Sequence, residues 1–423
     1  MIRISSETLR KARDIQEGLQ EGLKAGNKLL AAAPDDLLHW LGVVRGLLQT
    51  AIELEHSTIP PYLCAYFTLK LGTNQEVADI IRSVVAQEML HMSIAANTLI
   101  AIGGAPLIND PCFVPTYPGR LPFGIAGVDV HLERCSIDLV CSTFMQIEAP
   151  EYPIPIKDLV ATAALNGDMA SITIGQFYEV VKTFITFLGD GIFDKTRFGQ
   201  EMVDNTWFPP DQLFRIVDAK SACDAIDIIV KQGEGTPERP DLKSRNQWTA
   251  YVHGEITTKP APSPPAVGDQ PTPLDPEGEP AHYYRFEEIV RGRKLVRDPR
   301  ADNNFAFTGP VVALDPANVW NMERDPDPNK LPDGSRARRL SVMFAYSYTM
   351  LLGMLHETFN GRPAAIAGAI GQMYELRLLA QEVLSTPVPG KPDCATGLSF
   401  RYQPTASELW VPRTFSSLAA ATT

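Results

Sequence analysis

Apolar residues recur at helical spacing over about 36–71 (DLLHWLGVVRGLLQTAIELEHSTIPPYLCAYFTLKL), which predicts one long amphipathic helix. Pro60 and Pro61 fall inside it. Each removes a backbone donor and crowds the preceding turn, so a kink or local bulge is expected there. Gly72-Thr73-Asn74 ends the stretch, and Asn74 opens a second helix to about Ile102, closed by Gly103-Gly104 and Pro106. Two long helices joined by so short a turn must lie antiparallel and adjacent.

From 105 to 165 the pattern turns to Pro, Gly and short alternating pieces such as VDVHLERCSIDLV, read as loop with a few short strands. A third helix is expected over about 169–189 and a fourth over about 219–232, ending at Gln232-Gly233-Glu234-Gly235. Residues 235–280 are rich in proline and charge, which predicts an extended surface loop. Helical periodicity returns at 281–292, 337–359 and 363–385. The expected fold is mainly α: an up-down four-helix bundle over 1–235 with an insertion at about 105–165. The loop of 236–280 and a helical extension over 281–423, packed on the bundle, complete the expected organisation.

Composition narrows the function. The net charge of −12, without a long basic run, argues against nucleic acid and anionic membranes as partners. No stretch is apolar for long enough to span a bilayer, and the polar N-terminus lacks the apolar region of a signal peptide. The six cysteines form no Cys-x-x-Cys pair, so reduced thiols in a cytoplasmic protein are expected and a zinc ribbon is not.

Glu88-Met89-Leu90-His91 places a carboxylate and an imidazole on one helix face. Alone the quartet is common and fits a surface acid beside a half-buried histidine. Its surroundings, IIRSVVAQEMLHMSIAANTLIAI, are apolar, and a buried carboxylate without a partner costs several kcal/mol, on the order of what a cation would offset. Glu55 stands about 18 residues before the turn and Glu88 about 15 after it, so at about 1.5 Å rise per residue they lie at similar height. One glutamate facing a Glu-x-x-His across a bundle core is the geometry of a dinuclear metal site. Glu53, with His56, makes a second Glu-x-x-His, but its face is turned about 160° from that of Glu55. Glu55 is therefore preferred. Tyr62, two turns on, is either a hydrogen-bond donor behind the ligands or a packed aromatic.

The segments AIELEHSTIPPYLCAY and IIRSVVAQEMLHMSIAANTLIAIGGAP resemble the ferritin-like domain of the iminophenyl-pyruvate dimer synthase family of bisindole pathways. More broadly they resemble bacterioferritin and rubrerythrin. IEAPEYP (147–153), TIGQFYEVV (173–181), KQGEGT (231–236), HYYRFEEI (282–289) and HETFNG (356–361) extend the likeness over most of the chain. The resemblance implies that Glu179, Glu234 and His282 join Glu55, Glu88 and His91 as metal ligands, with Gln176 unable to serve as well as an acid. Glu279, three residues before His282, and His356 stand as alternatives.

Four carboxylates and two imidazoles suit two iron ions, or manganese, better than zinc or copper. The expected activity is oxidation of a small organic substrate with dioxygen or peroxide, the substrate being an amino-acid-derived imine or keto acid of secondary metabolism. Two other readings remain: catalase-like peroxide disproportionation at a dimanganese centre, and a bundle that binds metal without turnover. A homodimer is the default assembly.

Overall fold

The computed structural model describes residues 2–25, 34–121, 128–149, 169–172, 174–194, 200, 207–233, 273–275, 277–301 and 304–403. Most of the proline-rich stretch at 235–280, and Glu234, lie outside the described residues.

Strand β1 (Ile2–Ser5) leads into α1 (Ser6–Ala25). The long helices α2 (Pro34–Thr68) and α3 (Gln75–Ala101) form the expected hairpin. Asn74 turns between them with φ of 48°. Gly103, with φ of 80°, and Gly104 close α3 by donating to Ile100 O and Leu99 O. A Cβ on Gly104 would meet Leu99 Cδ1 at 2.2 Å, so only glycine fits there.

Helix α2 runs unbroken through Pro60 and Pro61. Proline 61 cannot donate to the carbonyl of Ser57 one turn back, and Tyr117 Oη–H takes that place at 2.8 Å. This pairing explains how Pro61 sits within a buried helix. Tyr117→Phe should therefore lower stability by about 1–2 kcal/mol, measured by denaturant unfolding; an unchanged midpoint would show that the freed carbonyl finds another donor.

Strands β2 (Gly119–Arg120) and β3 (Asp129–Val130) pair antiparallel, and a short helix not anticipated from the sequence follows. This helix, α4 (residues 137–147), is α-helical over Ile137–Leu139 and Met145–Ile147 and π-wound over Val140–Phe144. Ser136 caps it by accepting from the Leu139 N–H. Strand β4 (Met169–Ile172) pairs antiparallel with β1, so the third expected helix begins only at Ile174. The Ser-Ile-Thr-Ile stretch favours the extended form through its β-branched residues. Helices α5 (Ile174–Leu188), α6 (Ala219–Gly233) and α7 (His282–Arg291) follow. The small pair β5 (Val296–Arg297) and β6 (Phe305–Ala306) precedes α8 (Arg336–Phe359) and α9 (Ile366–Leu384), and β7 (Pro387–Val388) with β8 (Lys391–Ala395) ends the described chain.

The packing explains the layout of the bundle. Against α2 lie α5, where Trp40 stacks on Phe184 at 5.2 Å, and α4, where Phe144 meets Tyr62 at 4.6 Å. Against α3 lie α6 and α7, the latter through Arg285 Nη1 to Ser83 Oγ at 3.0 Å. Thus α4 and α5 form one column and α6 and α7 another, and each column is interrupted at mid-height. The hairpin of α8 and α9 packs on the other side of α2 and α3, with Gln381 Nε2 donating to Phe67 O at 2.8 Å.

Candidate metal centre

Both interruptions fall at the level of Glu55 and Glu88. The C-terminal end of α4 delivers Glu148, the first turns of α5 deliver Tyr178, the end of α6 delivers Gln232, and the first residue of α7 is His282. Two buried triads result: Glu55, Glu88 and His91, and Glu88, Glu148 and His282, each with ligand-type atoms within 4.8 Å of one another. Glu88 belongs to both.

The two halves repeat one design. On one side His91 Nδ1 faces Glu55 Oε2 at 3.4 Å, Tyr178 Oη donates to Glu55 Oε1, and His91 Nε2 lies 3.0 Å from Gln232 Oε1. On the other, His282 Nδ1 faces Glu148 Oε2 at 3.4 Å and Glu88 Oε1 at 2.9 Å. Tyr62 Oη donates to Glu148 Oε1 at 2.5 Å, and His282 Nε2 lies 2.9 Å from Gln87 Oε1. Thr58 Oγ1 donates to Glu88 Oε2 at 3.1 Å, and the two imidazoles lie 5.4 Å apart and nearly parallel.

An amide oxygen only accepts, so Nε2 of each histidine carries a proton, and in the neutral imidazole Nδ1 presents a lone pair. Gln232 is oriented by its own Nε2, which reaches Glu277 Oε2 at 3.4 Å. Each lone pair then faces a carboxylate oxygen, and His282 Nδ1, wholly buried, makes no hydrogen bond among the described residues. Acceptor against acceptor in a dry core is repulsive unless a proton or a cation lies between. Burial first, and then the charges of Glu148 and Glu55, push the Glu88 carboxyl well above the usual carboxylate range. Burial and the neighbouring glutamates likewise keep the Tyr62 and Tyr178 hydroxyls protonated far above the ordinary phenol range. The residues fit two hard cations: Glu55 and His91 on one, Glu148 and His282 on the other, and Glu88 between them.

Residues 48–257 match the family model described as Ferritin-like. The chain carries a ferritin-like domain. It is 25% identical over 356 residues to dichlorochromopyrrolate synthase of Lentzea aerocolonigenes, covering 78% of this chain. The chain spans 30% of that relative's length. A solved structure of a ferritin-like protein from Caulobacter vibrioides aligns with a TM-score of 0.49 and 21% identity, covering 85% of this chain and 97% of that one. The ferritin-like domain here is mainly helical and draws one side of its centre, His282, from beyond the matched residues.

Of the residues singled out in the sequence, Glu55, Glu88, His91 and His282 converge, and Tyr62 stands behind Glu148. Glu179 does not join them. Its side chain is 50% exposed and pairs with Lys182 at 3.2 Å, because Glu179, Lys182 and Thr186 form the polar stripe of α5 while Tyr178 faces the core. Glu234 lies outside the described residues. Glu279 is exposed, and His356 Nδ1 accepts from the Ile108 N–H at 3.4 Å at the far end of α8. Glu53 is half-buried and held by Gln49, outside the centre. Glu148 and Tyr178 were missed as site residues, although both lie in segments that carry the family likeness. His56, the neighbour of Glu55, faces the other way and meets Tyr348 Oη at 2.6 Å; burial lowers its pKa to about 3.

The outer partners should set the affinity. Gln232→Leu frees the His91 tautomer and should weaken metal binding about 10–100-fold, read by competition with a chelating dye; unchanged affinity would show that Gln232 does not orient His91.

Proposed function

We propose that the ferritin-like domain holds two iron ions at Glu55, Glu88, His91, Glu148 and His282, and serves an oxidoreductase acting on a small organic molecule. The observation that carries the reading is the paired arrangement of histidine lone pairs turned onto buried carboxylates, each histidine locked by a glutamine from behind. When bound, such a metal pair supplies redox chemistry with dioxygen or peroxide. The chain's own part is positional. Tyr62 and Tyr178 each fix one oxygen of a terminal carboxylate and leave the other free to face the centre. Thr58 does the same for Glu88. Phe144 and Phe286, packed on Tyr62, exclude water from that side.

An organic substrate is supported by where the bundle helices stop. Helices α4 and α6 end beside the centre and α5 and α7 begin there, with 25 residues between Glu148 and Ile174 and 48 between Gly233 and His282. A bundle that only stored metal would have no need to open its third and fourth columns there. The similarity to dichlorochromopyrrolate synthase, and to the iminophenyl-pyruvate dimer synthase family, supports an amino-acid-derived imine or keto acid as the substrate class.

Dioxygen uptake by the anaerobically reduced, iron-loaded protein tests the reading. Uptake that is accelerated by an aromatic 2-imino or 2-keto acid and absent in Glu88→Ala is expected. Uptake equal in the two proteins, or none in either, would overturn it, and rapid peroxide disproportionation with manganese alone would replace it with the catalase-like activity.

A further inference from the structure

On a different face of α2 and α3, where the α8–α9 hairpin packs, lies a cavity of about 330 Å³. Met89 and Met92 line it, each one residue past a candidate metal ligand and so turned about 100° from the carboxylate centre. Tyr66, Leu355, Met373 and Trp207 contribute further wall, which is predominantly apolar and rich in sulfur and aromatic surface. The size falls at the lower end of small-molecule sites, about 300–1,000 Å³.

Of the polar groups in this lining, His56 and Arg377 matter most. His56, 3% exposed, lines the cavity, and its Nδ1 has no hydrogen-bond partner among the described residues while its Nε2 is taken by Tyr348 Oη at 2.6 Å. Whichever tautomer it adopts, one buried nitrogen is left unsatisfied, which native cores rarely tolerate without a ligand or water. The Arg377 guanidinium lies over the Tyr66 ring at 5.1 Å and pairs with no carboxylate among the described residues. Arg82, the other cation at the cavity, is already held by Asp79 at 2.8 Å.

We propose that this cavity is a second binding site, separate from the carboxylate centre, for a small planar aromatic molecule bearing one anionic group. Its rings lie among Met89, Met92 and Met373, whose thioethers favour aromatic edges. Its anion meets Arg377, stacked and oriented by Tyr66, and a polar atom satisfies His56 Nδ1. Arg377, without a counterion among the described residues, selects an acid over a neutral arene of the same shape.

The test uses the full chain and two fluorescent probes, anionic 8-anilino-1-naphthalenesulfonate and neutral N-phenyl-1-naphthylamine. Saturable binding of the anionic probe at about one site per chain is expected. Arg377→Met, at a half-exposed position, should weaken the anionic probe about tenfold or more and shift the neutral one by less than about twofold. Ile370→Trp, or Leu355→Trp from another wall, should weaken both probes. Glu88→Ala should change neither. Absence of saturable binding, equal effects of Arg377→Met on the two probes, or loss of binding in Glu88→Ala would overturn the proposal. So would a dimer that Ile370→Trp dissociates while neither probe binds, since that outcome gives the face to a second copy of the chain.

Discussion

Glu88→Ala should empty both metal positions at once. Glu88 is the one residue common to the two triads, so its removal takes a ligand from each. Replacing a group behind a ligand costs about 10–100-fold in affinity, and losing a shared ligand should cost at least that at each position. The metal content of the purified variant, measured against the parent, checks it. The metal-free proteins should show the opposite order in stability. Beside Glu55 and Glu148 in a dry core, the metal-free fold holds the Glu88 carboxyl protonated where the unfolded chain ionises it, and Glu88→Gln keeps the shape while removing that cost. At neutral pH the metal-free Gln variant should be more stable than the metal-free parent by about 1–4 kcal/mol, a gain that disappears as pH falls below the free carboxylate range. Loss of stability with retained metal would contradict both halves.

Glu148 and Glu179 make the second large contrast. Glu148→Ala removes a ligand from the His282 side alone and leaves the Tyr62 hydroxyl without its carboxylate. Metal content should fall to about half, with Glu55, Glu88 and His91 still able to hold one ion. Glu179→Ala removes an exposed ion pair with Lys182, worth about 0–1 kcal/mol, and a long contact from Gln16 Nε2 at 3.5 Å, and should leave metal content unchanged. A full complement of metal in Glu148→Ala, with loss in Glu179→Ala, would reverse the assignment.

How far the sequence could carry this follows from the helices themselves. The α2–α3 hairpin was legible because its apolar period runs unbroken between clear turn signals, and the heights of Glu55 and Glu88 follow from helical rise alone. The π-wound turn of α4, between Val140 and Phe144, breaks the regular period in a helix of only eleven residues, 137–147. No window long enough for amphipathic reading remained there, and Glu148 at its end stayed hidden. Glu179 came from likeness, and Tyr178, which does reach the centre, stands a single residue step away, about 100° of rotation. The stripe formed by Glu179, Lys182 and Thr186 was the available signal that Glu179 faces solvent. His282 came from likeness, since the residues between α6 and α7 erase any spacing argument. Gln87 and Gln232 look like ordinary polar residues until the histidines they hold are in place.

The central claim is that Glu55, Glu88, His91, Glu148 and His282 enclose a pair of metal ions. Elemental analysis of the protein purified without added metal, and again after anaerobic loading with ferrous iron, tests it most directly. The account predicts about two iron or manganese ions per chain, lost in Glu88→Ala. Metal content no higher than that of the Glu88→Ala protein, in both preparations, would contradict it.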